Sequence, residues 1–154
     1  MFDPPVETWY VWAGLAVASV VALGIAVNLP RTPPPDAPSV AESVDSVAAS
    51  DRAATAVHPL SAEAVRIDPY RVWLRDDGAT SYATFAYGPV TPVRRGSALW
   101  DVLQGTPPDQ AFSSPAGFRR AAAEARDRDP TWRSRDELTI RHTSWEGIDV
   151  TLVG

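Results

Sequence analysis

The sequence predicts an α+β protein: an N-terminal transmembrane helix, a proline-rich spacer and short amphipathic helix, then a small antiparallel sheet with two helices on one face. Three observations lead to this prediction. They are an uninterrupted apolar stretch, five prolines among residues 30–38, and alternating strand and helix patterns from residue 59 onwards. The predicted segments are an N-terminal tail (1–8), the transmembrane helix (9–29), the spacer (30–38), the amphipathic helix with its linker (39–58) and a soluble domain (59–154).

The composition narrows the possible chemistry. The chain of 154 residues has no cysteine, which excludes disulfides, thiolate catalysis and cysteine-based zinc sites. All 14 basic residues are arginine, and the formal net charge is −5. An acidic chain without lysine indicates a protein from a halophilic archaeon. Codon bias alone is the alternative explanation for the absence of lysine.

The apolar stretch at residues 9–29 contains no charged side chain. As a helix it would extend roughly 32 Å, close to the thickness of a bilayer's hydrocarbon core. Trp9, Tyr10 and Trp12 cluster at one end, where aromatic rings favour the membrane interface. A cleaved signal peptide is disfavoured, because the preceding residues are acidic and the apolar stretch is too long. The stretch therefore predicts a single-pass membrane protein.

Small residues recur every four positions along this stretch, at Gly14, Ala18, Ala22 and Ala26. Such a ridge lets a second helix approach closely, so these four residues form a possible helix-packing ridge. Chance spacing in an alanine-rich segment is the favoured explanation. The positive-inside rule predicts the orientation from basic residues beside the membrane span. Arg31, on the C-terminal side, is the one such residue and favours a cytoplasmic C-terminal domain.

The five prolines predict an extended spacer, after which a short helix should begin. Ser39 and Glu42 match the capping-box pattern, and Val40, Val44 and Val47 follow at helical spacing. This amphipathic helix needs a partner surface, which could be its own domain, a neighbouring subunit or the membrane. Packing on its own domain is the simplest of the three.

Patterns in the remaining chain predict two hairpins separated by two helices. The hairpins turn at Asp77-Gly78 and near Glu146-Gly147. One helix starts after Ser97 and ends at Gly105, and the other starts at Ser114-Pro115. The second helix has an apolar stripe formed by Phe118, Ala121, Ala122 and Ala125, and the last strand has one formed by Ile148, Val150 and Leu152.

The sequence lacks linear motifs for phosphate binding, for a nucleophile elbow and for zinc proteases. His58 and His142 are far apart in the chain, and His142 shares a strand face with Leu138 and Ile140. A core or edge histidine is therefore favoured over a catalytic one. Asp76-Asp77-Gly78 fits a hairpin turn better than a calcium loop, because the other ligands of such a loop are missing. No catalytic, cofactor-binding or metal-binding residue is predicted, and no cofactor is expected.

Six arginines lie within seventeen residues of the second half, and such a cluster could bind nucleic acid or anionic lipid head groups. They are Arg119, Arg120, Arg126, Arg128, Arg133 and Arg135, interleaved with Glu124, Asp127, Asp129, Asp136 and Glu137. The mixed charges favour a solvated, salt-bridged helix face. We therefore expect no nucleic-acid partner.

Four segments together resemble an uncharacterised family of small haloarchaeal single-pass membrane proteins. They are the opening MFDPPVETWYVW, the apolar stretch, SVAESVDSVAAS and FAYGPVTPV. The resemblance implies an association with type IV pilus or type II secretion-like machinery and a C-terminal domain outside the cell. The chain departs from pilins, because no basic residue and glycine precede the apolar stretch and the prolines interrupt the helix.

These observations lead to the hypothesis of a non-catalytic, membrane-anchored interaction protein. Its expected partners are the lipid bilayer and protein components of a membrane complex or appendage, without a small-molecule substrate. The alternative is a membrane-tethered enzyme or ligand-sensing domain that has no linear motif. An unpaired sheet edge or exposed apolar groove would favour the first hypothesis, and a pocket lined by converging polar groups would favour the second.

Overall fold

The computed structural model describes residues 10–11, 13–17 and 33–154. The chain divides into two units, Met1–Pro33 and Pro34–Gly154. In the first unit, the described residues between 10 and 17 are helical and mostly exposed. In the second unit, the helices are α1 (Ala37–Ala48), α2 (Ala98–Leu103), α3 (Pro108–Ala111) and α4 (Pro115–Arg126). Its strands are β1 (Ala54–Pro59), β2 (Ala64–Ile67), β3 (Arg71–Asp76), β4 (Ala79–Thr84), β5 (Thr91–Pro92), β6 (Glu137–Trp145) and β7 (Ile148–Val153).

The predicted membrane-spanning helix is corrected by the structure. Within the described ranges, no helix has both the length and the apolar character needed to cross a membrane. The two longest helices of the second unit have 12 residues each, about 18 Å at 1.5 Å per residue, against a core of about 30 Å. The finding contradicts the predicted span at 9–29 and the single-pass localisation, with an external C-terminal domain, that depended on it. Positions 9, 12 and 18–29 of that stretch lie outside the described residues.

The helix α1 begins at an earlier residue than predicted. Asp36, not Ser39, caps α1: its carboxylate accepts a hydrogen bond from the backbone N–H of Ser39 at 3.1 Å. Pro38 lies in the first turn, where its missing N–H is not needed. The predicted apolar face is confirmed, since Val40, Val44 and Val47 are buried.

Both predicted hairpins are confirmed. β3 and β4 pair around Asp77-Gly78, and β6 and β7 pair around Glu146-Gly147. All four turn residues have positive φ, the geometry that joins twisted antiparallel strands through two residues. The predicted caps of α2 and α4 are also confirmed: Ser97 and Ser114 each accept a bond from a backbone N–H three residues later.

The single antiparallel sheet of the prediction is wrong. The described strands form a four-stranded sheet in the order β1-β6-β7-β5 and a three-stranded sheet in the order β2-β3-β4. Within the larger sheet, β5 runs parallel to β7. The missed strands are short or atypical in composition: β1 ends in Pro59, and β5 is the dipeptide Thr91-Pro92.

Helices cover both faces of the four-stranded sheet, which corrects the prediction of helices on one face. One core joins α1 to Leu138, Ile140 and Val153 and also to residues of the three-stranded sheet. A second core joins α2 and α4 to Val150 and Leu152 on the opposite face. Because β7 is covered on both sides, its last four residues are all buried.

Candidate functional site

The predicted helix-packing ridge cannot be followed along its length. Gly14 is exposed, and no atom of the described residues, apart from its chain neighbours and its own helix backbone, lies within 4 Å of the position that a β-carbon would occupy there. Ala18, Ala22 and Ala26 lie outside the described residues. The ridge stays a prediction.

Each histidine lies within hydrogen-bond distance of one hydroxyl side chain. His142 is half-buried, and its Nδ1 lies 3.1 Å from Oγ1 of its cross-strand neighbour Thr151. His58 is also half-buried, and its Nδ1 lies 2.8 Å from Oγ of Ser43 on α1. Over the described ranges, no group of three His, Cys, Asp or Glu side chains is placed to hold a metal ion.

The arginine-rich segment does not form the salt-bridged face that was predicted. Arg119 and Arg120 are exposed on α4, whereas Arg126 is half-buried and donates from Nε to Oγ1 of buried Thr91 at 2.8 Å. Burial lowers the pKa of Arg126, and the nearby Tyr70 offsets part of that lowering. Among described residues the structure contains one ion pair, Arg71–Asp68 at 3.5 Å.

Several arginines lie against tryptophans, which the sequence analysis did not foresee. The Arg66 guanidinium is 4.2 Å from the ring centroid of Trp73 and 5.0 Å from that of Trp132. Arg71 lies over Trp73 and Arg75 over Trp132, at 5.1 Å and 4.7 Å. Cation–π contacts of this kind hold the segment around Trp132 against β2 and β3. The alternation of arginine and aromatic residues along β3 was the available signal.

The free edge of β4 is the clearest candidate for a binding surface. Among the described strands, β4 pairs only with β3, and its residues contain no charge and no proline. The other sheet edges differ from that of β4. Val65 of β2 exchanges two backbone hydrogen bonds with Arg133, β5 has two residues, and β1 ends in proline.

The register of the hairpin shows which backbone groups of β4 face outward. A two-residue turn makes Asp76 and Ala79 a hydrogen-bonded pair, and such pairs then alternate along the ladder. Ser81 and Ala83 therefore bond to β3. The N–H and C=O groups of Thr80, Tyr82 and Thr84 point to the free edge, and these three residues also have exposed side chains.

A groove runs beside this edge, between β4 and the N-terminal half of α1. Its lining residues are Pro38, Ala41, Glu42, Asp45, Tyr82, Ala83 and Thr84. The Tyr82 side chain is 64% exposed, and Glu42 is exposed without an ion-pair partner among described residues. Asp45 is already occupied, since its carboxylate accepts hydrogen bonds from the backbone N–H groups of Ala86 and Tyr87. The groove thus combines open strand hydrogen bonds, an aromatic side chain and a free carboxylate.

Comparison with known families gives one match. The sequence model of a family of unknown function, DUF7283, matches residues 3–143. The chain belongs to DUF7283. No curated protein and no solved structure matches it. Membership of DUF7283 confirms the resemblance to an uncharacterised family. The matched residues include α1, β4 and the groove between them, so the candidate surface lies within the part of the chain that DUF7283 describes.

Proposed function

We propose that this chain is a non-catalytic interaction protein that binds an extended segment of a partner protein along β4. The observation that supports the proposal is the unpaired β4 edge, where Thr80, Tyr82 and Thr84 present outward backbone groups beside a groove. A segment added as a fourth strand would satisfy those groups, as in other cases of β-strand addition. Alternate side chains of that segment would contact Tyr82 and the groove.

The charge beside the edge specifies the kind of segment. α1 contains two acidic residues and no basic one, and Asp36 caps it. Glu42 is exposed in the groove without an ion-pair partner in the described part of the chain. A partner segment with an arginine or lysine facing Glu42 would complement it. Charge complementarity of this kind gives orientation and specificity more than affinity.

The resemblance from the sequence suggests a setting for this binding. Similarity to small haloarchaeal proteins linked to pilus or secretion-like systems supports an accessory or assembly role in such machinery. The lysine-free composition is in keeping with a haloarchaeal source. Within that setting, the partner segment would belong to another component of the appendage or secretion complex.

Site-specific photocrosslinking in cells tests the proposal. A photoreactive phenylalanine analogue replaces Tyr82 in the full chain, and the matched control replaces Val57, which is 55% exposed on β1. We expect the Tyr82 position to capture one partner, and mass spectrometry to locate the crosslink in an extended segment containing arginine or lysine. Equal capture from both positions would contradict the proposal, and capture of a second copy of this chain would replace it with self-association.

Two further variants show whether the captured partner uses the edge itself. Thr80→Pro removes an outward N–H without removing a bond to β3, so we expect it to abolish the Tyr82 crosslink while the domain stays folded. Glu42→Arg should weaken the crosslink through charge repulsion. Circular dichroism of both variants provides the control for folding. An undiminished crosslink in both variants would show that β4 is not the binding element.

A second candidate function, ligand sensing, is favoured by one observation. A small pocket separate from β4 is rimmed by four arginines, which are Arg94, Arg128, Arg133 and Arg135. Converging polar groups above an apolar floor are typical of ligand sites.

A further inference from the structure

The arginine-rimmed pocket lies where β2, the end of β7 and the segment 128–135 meet. Its volume is about 50 Å³. A cavity must offer about 10–15 Å³ to hold one water molecule, so this pocket has room for a group of a few heavy atoms. The floor and walls are formed by buried apolar side chains, namely Val65, Val93, Ala125, Leu138 and Val153.

The rim of this pocket has an excess of positive charge. Asp129 is the only acidic side chain among the lining residues, against four arginines. None of the four arginines forms an ion pair with a described residue. Gly154 also lines the pocket, and a carboxylate there would still leave positive charge in excess.

One rim arginine, Arg135, lies close to other positive charges. Arg135 is half-buried, and burial together with the positive charges of Arg95 and Arg133 lowers its pKa. Arg95 and Arg135 both lie over the Trp100 ring, each 5.4 Å from its centroid. An anion beside Arg133 and Arg135, which both line the pocket, would offset the repulsion between these two like charges.

The wall that carries Arg133 is fixed in place before any ligand arrives. Arg133 and Val65 exchange backbone hydrogen bonds of 2.8 Å and 2.9 Å. The neighbouring Trp132 is held by the guanidinium groups of Arg66 and Arg75. A preorganised wall reduces the entropy that is lost when a ligand binds.

We infer that this pocket binds a short aliphatic carboxylate, with its apolar group on the floor and its carboxylate held by the rim arginines. A planar carboxylate can accept two parallel hydrogen bonds from one guanidinium, which suits an arginine rim. The apolar floor disfavours inorganic phosphate, which would lose hydration there without gaining a hydrophobic contact. The carboxylate has two potential sources, a free short-chain acid or the C-terminus of a polypeptide that ends in an apolar residue. This inference goes with ligand sensing and does not depend on β4.

Titration of the full chain followed by amide NMR shifts tests the inference. The probes are isovalerate, acetate, uncharged isovaleramide and inorganic phosphate. Each buried carbon raises affinity roughly fourfold, so we expect isovalerate to bind at least about tenfold more tightly than acetate. The shifted amides should include Val65, Arg133 and Gly154. The inference would be overturned if isovaleramide or phosphate bound as tightly as isovalerate. It would also be overturned if isovalerate caused no amide shifts at its solubility limit.

Variants link the binding to the rim. We expect Arg133→Gln and Arg135→Gln each to weaken isovalerate binding about fivefold or more, since each removes a charged bidentate donor. Arg119→Gln, on the exposed face of α4, is the matched control and should bind normally. Arg135→Lys keeps the charge if the glutamine variant fails to fold, and it should show a smaller loss. If every folded rim variant bound isovalerate with unchanged affinity, the inference would be overturned.

A peptide comparison separates the two sources of carboxylate. A hexapeptide ending in valine with a free carboxylate is titrated beside the same peptide with an amidated end. Tighter binding of the free-acid peptide than of isovalerate supports a polypeptide C-terminus as the ligand. Binding of isovalerate alone supports a free acid. Binding of both peptides with equal affinity would contradict recognition through the carboxylate.

Discussion

The carboxylate of Asp45 on α1 accepts hydrogen bonds from the backbone N–H of Ala86, 41 residues later in the chain, at 2.9 Å and 3.0 Å. The N–H of Tyr87 donates to the same carboxylate at 3.0 Å. One side chain therefore satisfies two backbone donors in the loop after β4. These hydrogen bonds connect α1, which lies before the predicted domain at residues 59–154, to a loop within that domain.

We expect Asp45→Ala to lower the free energy of unfolding by about 1–3 kcal/mol, because two N–H groups lose a charged acceptor. Glu42→Ala, on the same helix but exposed, is the matched control and should stay within about 0.5 kcal/mol of the parent. Urea denaturation followed by circular dichroism measures both. Equal effects of the two substitutions would mean that the Asp45 bonds contribute nothing specific.

The β3–β4 turn depends on glycine at its second position. Gly78 has φ of 79°, and no atom of the described residues beyond its chain neighbours lies within 4 Å of the position its β-carbon would take. Gly78→Ala therefore costs conformational energy alone, and we expect a loss of about 1–2 kcal/mol. Asp77→Gly should be neutral or better, since Asp77 has φ of 44°. Thermal unfolding of the pair checks this. If Gly78→Ala left the thermal stability unchanged, the turn would be able to adopt another turn type.

The second core depends on Phe118, which is fully buried. Its ring lies 5.4 Å from the ring of Phe112 and 6.2 Å from that of Trp145, measured between centroids. We expect Phe118→Ala to destabilise the domain by about 3–5 kcal/mol through lost burial and a residual cavity. Phe112→Ala should have a smaller effect, because that ring is only partly buried. Chemical denaturation compares them, and the reverse order would contradict the assignment of Phe118 to the centre of this core.

The bond between Arg126 and Thr91 should show coupling in a double-mutant cycle. Thr91→Val leaves the half-buried Arg126 without its acceptor, and we expect a loss of about 1–3 kcal/mol. Burial lowers the pKa of Arg126, which shows that its charge is costly there, and Arg126→Met removes that charge. The double variant should therefore lose less free energy of unfolding than the sum of the losses in the two single variants. A coupling energy of about 0.5–3 kcal/mol is expected from denaturation curves of the four proteins. Strict additivity would indicate that the bond has no net stabilising effect.

Much of the local structure followed from the sequence, because local signals determine it. The turn residues at positions 77–78 and 146–147 have positive φ, and Asp77, Gly78 and Gly147 are of the residue types that adopt it most readily, whereas Glu146 is not. Ser97 and Ser114 were recognisable as caps for a similar reason. The start of α1 was misjudged because Asp36, embedded among prolines, offers the same capping oxygen three residues before Ser39.

The candidate site was less predictable than the elements that build it. The sequence predicted the strand that contains Tyr82, but an unpaired edge depends on which strand lies beside it. The six clustered arginines were noticed, yet their mixed sequence suggested neutralisation by neighbouring acids. In the structure, Arg133 and Arg135 reach a pocket that residues from β2 and β7 complete.

The sequence by itself determined the α+β class, the two hairpins, the caps of α2 and α4 and the buried faces of α1 and α4. Each of these is decided by interactions within a few residues, so periodicity and turn chemistry suffice. Tertiary structure alone decided that the strands divide into two sheets, that β5 runs parallel to β7, and that β4 keeps a free edge. It also decided that arginines from separate segments meet around one apolar pocket. Such arrangements depend on burial of apolar surface between residues far apart in the chain, a force that has no direction and leaves no local pattern.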